Sequence, residues 1–304
     1  MKFSKLQATG NDFILVDARN AERNWPKLAQ IMCRRHFGIG ADGLILVQDS
    51  NIADLNMRMF NPDGSEAESC GNGLRCFTRY AIEQGIVDKV SMRAKRSTLC
   101  LAIETLSGIR KARAYISEDK VNQVQVNMGL PEFKPGQIPI TLTTDVITSR
   151  SSSVTARNEV TKQSPIITYQ LTVDSYQLSV SLLSMGNPHA VNFTSDPVAN
   201  FPLIQIGPKV ERHPLFPQKT NFEIARVLNR GEIEARVWER GAGETLACGS
   251  GACAIAVAAR LLSYIDNQVD IIFPGGTLTI HWDRVGEVLL TGPVEEVFSG
   301  EYPI

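Results

Sequence analysis

Two cysteines of this chain sit in matching glycine turns, Cys70-Gly-Asn-Gly and Cys248-Gly-Ser-Gly, each followed by a run that reads as a helix. Glycines after a cysteine let the backbone come close to a ligand. A helix opening at such a turn aims free N–H groups and the positive end of its dipole at it. That suits a carboxylate and favours a thiolate by up to about 2 kcal/mol. Two such turns facing one cleft could hold one α-carboxylate and place a sulfur on either side of its Cα. Inverting a stereocentre by proton transfer needs a base on one face and an acid on the other. Two thiols in a small site resist joint ionisation, so one thiolate and one thiol is the natural charge state of the pair.

Other uses of cysteine fit less well. Structural zinc favours Cys-x2-Cys pairs, whereas the neighbours here are Cys70 with Cys76 and Cys248 with Cys253, so no metal is expected. No Cys-x-x-Cys redox motif accompanies the turns, and no Lys-Ser or Lys-Thr follows them as a phosphate loop requires. Cys33, Cys76, Cys100 and Cys253 read as buried, inert thiols. A non-enzymatic thiol redox sensor, in which the two turn cysteines form a reversible disulfide, is the rival reading from another class.

The elements that must position the turns are mostly strands. Phe13-Ile-Leu-Val-Asp17, Gly43-Leu-Ile-Leu-Val47, Asn122-Gln-Val-Gln-Val-Asn127, Tyr176-Gln-Leu-Ser-Val-Ser-Leu182, Glu232-Ile-Glu-Ala-Arg-Val-Trp238 and Leu278-Thr-Ile-His-Trp282 alternate or are β-branched. Helices are predicted over 73–84 and 251–264; the second is apolar nearly all round and must be buried. The stretch from Val90 to Leu99 lines up with Val269 to Leu278 at almost the same offset that separates the two turns, which suggests an internal duplication. Residues 141–164, rich in Thr and Ser, read as a loop or insertion.

These features predict an α/β (α+β) protein of two pseudo-symmetric domains. Each is a curved, mostly antiparallel sheet or barrel around a central buried helix, with the active site in the cleft between them. The expected boundaries are 1–125, with residues 292–304 returning to that domain, and 126–291. A net charge of -1 spread along the chain gives no basic stripe for nucleic acid. No apolar run is long enough for a signal peptide or a membrane span, so the expectation is a cytoplasmic protein with a small-molecule substrate, no nucleic acid and no membrane.

Six blocks together carry a family resemblance: Lys5-Leu-Gln-Ala-Thr-Gly-Asn-Asp-Phe13, Arg35-His-Phe-Gly-Ile-Gly-Ala-Asp-Gly43, Phe60-Asn-Pro-Asp-Gly-Ser-Glu66, Cys70-Gly-Asn-Gly-Leu-Arg-Cys76, Met185-Gly-Asn-Pro-His189 and Glu239-Arg-Gly-Ala-Gly-Glu-Thr245 continuing into Ala247-Cys-Gly-Ser-Gly-Ala-Cys253. In this order, and extending to Leu290-Thr-Gly-Pro293, the chain resembles the diaminopimelate epimerases. The resemblance implies interconversion of LL- and meso-diaminopimelate without any cofactor, serving lysine and peptidoglycan synthesis, in an enzyme that is often a homodimer. It implies that Cys70 and Cys248 are the acid/base thiols and that His189 and Glu239 support them. It further implies that Gly71, Asn72, Gly249 and Ser250 hold the reacting end of the substrate. Asn11, Asn61, Asn187, Asn221, Glu239 and Arg240 are implied as substrate-binding, the asparagines and Arg240 chiefly at the distal end. A racemase of another amino acid such as histidine would keep both cysteines without needing that distal clamp. Phe222 stands where a smaller Val is usual in the family and is expected to reshape the distal pocket. Pro62, Gly43 and Arg96-Ser97 also depart from the family pattern.

Overall fold

A computed structural model describes residues 1–67, 70–87, 97–141 and 167–303. The chain divides into two compact units, one of residues 1–128, 275–278 and 289–304, the other of residues 129–274 and 279–288. Most of the stretch read as an insertion, and residues 90–96 of the expected repeat, lie outside the described residues.

The first unit runs β1 (Lys2–Ala8), β2 (Asn11–Asp17), α1 (Trp25–Met32), β3 (Gly43–Gln48), β4 (Leu55–Phe60), β5 (Glu66–Ala67), α2 (Gly71–Glu83), β6 (Thr98–Thr105), β7 (Gly108–Ser117) and β8 (Lys120–Asn127). Pairing is antiparallel for β1–β2, parallel for β2–β3, antiparallel for β3–β4 and β4–β5, and parallel for β4–β6. From β6 the sheet continues antiparallel through β7 to β8. The second unit runs β9 (Ile167–Val173), β10 (Tyr176–Ser184), β11 (Pro188–Phe193), α3 (Leu203–Glu211), β12 (Asn221–Asn229), β13 (Glu232–Glu239), β14 (Gly243–Thr245), α4 (Gly249–Leu261) and β15 (Gln268–Phe273). Its pairings repeat those of the first: antiparallel β10–β11, parallel β11–β12, antiparallel β12–β13 and β13–β14, parallel β13–β15. Each series thus places a helix between the strands of its first parallel pair, then a hairpin, then a second helix that leads out of a cysteine turn.

After β16 (Gly276–His281), the chain forms β17 (Leu289–Pro293) and β18 (Glu295–Glu301). These lie antiparallel against β8 and β1 of the first unit. The pairing order of that unit is therefore β18–β1–β2–β3–β4–β6–β7–β8–β17. α2 packs against β1, β2 and β3 and also against β7, β8 and β17. Contacts with strands from both ends of the order require the sheet to curl around the helix.

Burial explains why central strands read as continuous apolar runs. In β3, Leu44 and Leu46 join Trp25, Ala29 and Met32 of α1 in one core cluster, while the Ile45 side chain reaches the α2 glycine Gly73 from the other face. A strand covered on both sides has no polar face. β12 repeats this, with Phe222 and Ile224 packing on Leu203, Ile206 and Val210 of α3. α3 approaches β13 so closely that a Cβ on Gly207 would lie 2.6 Å from the Trp238 indole. Of the four cysteines expected to be buried, Cys33, Cys76 and Cys253 are, and burial pushes the Cys33 thiol up to about 12. Cys100 is exposed instead, because it falls on an outward-facing position of β6, whose alternate residues meet solvent. Among the described residues no helix is long and apolar enough to cross a membrane.

Candidate active site

Both helices begin directly after their cysteine, two residues earlier than the glycine turns suggested, because the cysteine itself is the cap. Cys70 and Cys248 are both extended, at φ/ψ of -144°/122° and -125°/122°. Each Sγ accepts the N–H of the glycine three residues on, Gly73 at 3.5 Å and Gly251 at 3.4 Å. A cap bond of this kind satisfies one of the orphan donors of the first turn. The N–H groups of Gly71 and Asn72, and of Gly249 and Ser250, occupy the equivalent first-turn positions where an anion would bind.

The neighbours of the two sulfurs differ. In the first unit, Cys70 Sγ lies 3.9 Å from Asn11 Oδ1, which also accepts from Asn72 Nδ2 at 3.4 Å. The Asn11 amide is held by its other end, since Nδ2 donates to Asp42 Oδ2 at 2.6 Å. Asp42 in turn takes Arg35 at 2.8 Å, and Arg35 bridges to Asp12, which Lys5 also holds at 2.8 Å. Asn72 is buried, and its Oδ1 has no partner among the described residues. The Asn61 amide donates to Ser65 Oγ at 3.0 Å across a tight turn.

In the second unit, Cys248 Sγ lies 3.5 Å from Ser250 Oγ, which accepts from Asn187 Nδ2 at 3.3 Å. Asn187 Oδ1 faces His189 Nε2 at 3.0 Å, and His189 Nδ1 is 2.6 Å from Glu223 Oε1. Glu239 accepts the Thr245 hydroxyl at 2.5 Å and the Cys248 thiol as well. Asn221 is buried and committed to backbone, donating to Pro188 O at 2.9 Å and accepting from Arg240 N at 2.9 Å. It fixes the turn that carries Arg240, whose guanidinium is exposed and reaches Gln218 O at 3.4 Å. Phe222, expected to reshape a pocket, is fully buried. Strand alternation turns it from Asn221 into the core beside Phe201, at a ring separation of 5.9 Å.

At Cys248 the help that the helix start gives the thiolate is present but outweighed. Burial pushes this thiol well above its ordinary value, and the Glu239 carboxylate raises it further. The Ser250 hydroxyl and the Gly251 N–H act the other way and are outweighed. Burial also raises Glu239, against the hydrogen bonds from Thr245 and Cys248. Cys248 therefore rests as a thiol with a proton acceptor bonded to it.

A family profile described as diaminopimelate epimerase matches residues 3–134 and 181–297. The diaminopimelate epimerase of Moorella thermoacetica is 44% identical over all of this chain and all of that protein. The one from Pelotomaculum thermopropionicum is 42% identical over 100% of this chain and 99% of its own. The chain belongs to the diaminopimelate epimerase family. A hydroxyproline epimerase from Agrobacterium vitis has the same fold, with a TM-score of 0.67 at 14% identity, covering 99% of this chain and 90% of that one.

For a member of this family, the charge beside Cys248 has a checkable consequence. Glu239, with an ordinary value of 4.5, ionises before the thiol, so its negative charge opposes formation of the thiolate. Glu239→Gln removes that charge, and thiolate absorbance followed against pH should show one cysteine titrating at lower pH than in the parent. Unchanged titration would contradict the contact. Sequence reasoning missed Asp42 and Glu223, although both carry a signal: a carboxylate within or at the start of an otherwise apolar strand run.

Proposed function

We propose that this chain is a diaminopimelate epimerase that inverts one Cα centre between the LL and meso forms, with Cys70 and Cys248 as the two acid/base groups. The observation that carries the reading is the pair of cysteine caps, alike in backbone conformation and in the N–H they accept, each at the start of a buried helix. In one direction Cys70 acts as thiolate and removes the α-proton, while the Cys248 thiol protonates the carbon from the opposite face. The products are Cys70 thiol and Cys248 thiolate, which is the starting state of the reverse reaction. Glu239, bonded to Cys248, is placed to take or return its proton between turnovers. First-turn N–H groups would neutralise the charge that develops on the α-carboxylate as the proton leaves. Arg240, the exposed cation on the turn fixed by Asn221, suits a distal carboxylate, and Asn61 and Asn187 offer amide donors and acceptors.

We read the enzyme as a cytoplasmic homodimer, acting on a small amino-acid substrate for lysine and peptidoglycan synthesis. The outward-facing Val297 and Phe298 of β18, a strand paired with β1, support self-association.

The reaction is tested in deuterium oxide with no added cofactor. LL-diaminopimelate should lose its α-proton signal and meso product should appear, while histidine remains unexchanged. Exchange of histidine but not of diaminopimelate would move the assignment to a histidine racemase. Failure of the fully reduced protein to exchange either would favour the thiol-sensor reading.

A further inference from the structure

The turn that carries Arg240, between β13 and β14, has little of its own to hold it. Gly241 and Gly243 both have positive φ, 81° and 87°, and among the described residues nothing lies within 4 Å of a Cβ built on Gly241. Within the turn, Ala242 N donates to Glu239 O at 3.1 Å. Glycines open many alternative conformations to such a turn. An exposed arginine on it stays in one place only if the backbone is held from outside. Asn221 supplies one hold, through Arg240 N.

Glu211, the last residue of α3, supplies the other. It is 3% exposed, and both carboxylate oxygens are used: Oε2 accepts the Trp238 indole N–H at 2.8 Å and Oε1 accepts the Gly241 N–H at 3.1 Å. The two donors flank Glu239-Arg240 in the chain. Neither role is ambiguous, because an indole N–H and a backbone N–H can only donate. The Trp238 ring is itself confined, since a Cβ would meet it at 2.6 Å from Gly207 of α3 and at 3.6 Å from Gly243. Lys219 Nζ pairs with Glu211 Oε1 at 3.6 Å, one residue from Gln218, whose carbonyl the Arg240 guanidinium reaches. One carboxylate thus ties to α3 both the turn and the loop against which the guanidinium lies.

Helix stability does not account for Glu211, because an acid in the last turn opposes the dipole. Burial does not account for it either, since a buried carboxylate is costly unless its oxygens are satisfied. Burial pushes this carboxyl up, but the Trp238 and Gly241 N–H groups and the Lys219 charge outweigh it and hold it below its ordinary value. We propose that Glu211 is a positioning residue: by taking the N–H groups on either side of Glu239-Arg240 it sets where the Arg240 guanidinium stands, and so how well the distal end of the substrate is held. This rests on the reading of Arg240 as the distal carboxylate clamp. Glu211→Gln keeps size and shape but offers one acceptor oxygen to two donors, so its NH2 must oppose either the indole or the Gly241 N–H.

The test is steady-state kinetics on LL-diaminopimelate with the full-length parent, Glu211→Gln, Arg240→Ala and the double variant. Glu211→Gln should raise KM about 10-fold, because a distal clamp holds ground state and transition state alike. Glu239 keeps its own bonds to Thr245 and Cys248, so kcat should change by less than about 3-fold. Arg240→Ala should raise KM about 100-fold, and adding Glu211→Gln should raise it by no more than about 2-fold further, since the carboxylate acts through the arginine. With 15N-labelled tryptophan, one of the 3 indole N–H signals, identified by its loss in Trp238→Phe, should move upfield in Glu211→Gln as its acceptor loses its charge.

Three results would overturn the proposal while Arg240→Ala stays defective: a folded Glu211→Gln with parental KM, an effect confined to kcat, or KM effects that simply multiply in the double variant. Parental KM in Arg240→Ala, or a parent that does not turn over diaminopimelate, would instead remove the reading on which the proposal rests. Should Glu211→Gln not fold, Trp238→Phe takes its place in the same comparison. It keeps a ring beside Gly207 and lacks one of the two donors, so it should raise KM with kcat spared; parental KM there overturns the proposal.

Discussion

Replacing either Cys70 or Cys248 by Ala should reduce epimerisation of diaminopimelate by at least about 1000-fold, because each removes one whole proton-transfer partner rather than a supporting contact. Both side chains are small, and besides the cap bond each loses only weak sulfur contacts, to Asn11 for Cys70 and to Ser250 and Glu239 for Cys248, so helix and fold should persist with a loss of about 1 kcal/mol. The informative readout is exchange without inversion. A variant with one remaining thiol can still remove an α-proton from the isomer presented to it and return solvent deuterium to the same face. Cys70→Ala and Cys248→Ala should therefore exchange opposite isomers, measured by NMR in deuterium oxide with each pure isomer. Near-parental turnover in either variant would refute the two-base assignment.

The second large effect concerns stability. Arg75, on α2 five residues after Cys70, is fully buried; its Nη2 donates to Thr9 Oγ1 at 3.0 Å and its Nε to Pro293 O at 3.3 Å. One side chain thereby ties α2 to the turn after β1 and to the end of β17. Arg75→Met matches the apolar stem but leaves both acceptors, one buried and one partly buried, without that donor, at about 1–3 kcal/mol each. A total of roughly 4 kcal/mol should lower the melting temperature by about 10 °C, read by calorimetry. A shift of a degree or less would show that the guanidinium is dispensable to the fold.

Much of this architecture was legible in the sequence. The strands read from alternation fall within β2, β3, β8, β10, β13 and β16 to within a few residues, and both helices after the cysteines are present. α1 and α3 escaped notice for different reasons. α1 has only 8 residues, and its signals were the capping Asn24 and the proline in its first turn. α3 contains Gly207 and Pro208, which normally punctuate a helix; the glycine is there because the Trp238 ring leaves no space for a side chain. Within the site, residue types named the thiols, but the direction of the Cys248 shift was not readable. It depends on how deeply the sulfur is buried and on Glu239 lying beside it, and both are properties of packing. Asn221 was named from the family resemblance, whereas the fold gives its amide to Pro188 and Arg240. Glu223 was overlooked because a charged residue in a strand usually faces water, and only the coverage of both faces of β12 excludes that.

The return of β17 and β18 to the first unit bears on how the protein is made. Strand partners for β8 and β1 are encoded after the whole second unit. During synthesis the first unit must wait with two raw sheet edges until β17 and β18 emerge, while the second unit can close before them. Order of emergence and order of completion are thus inverted, and a stop codon that removes β17 and β18 would cripple the unit that was translated before them.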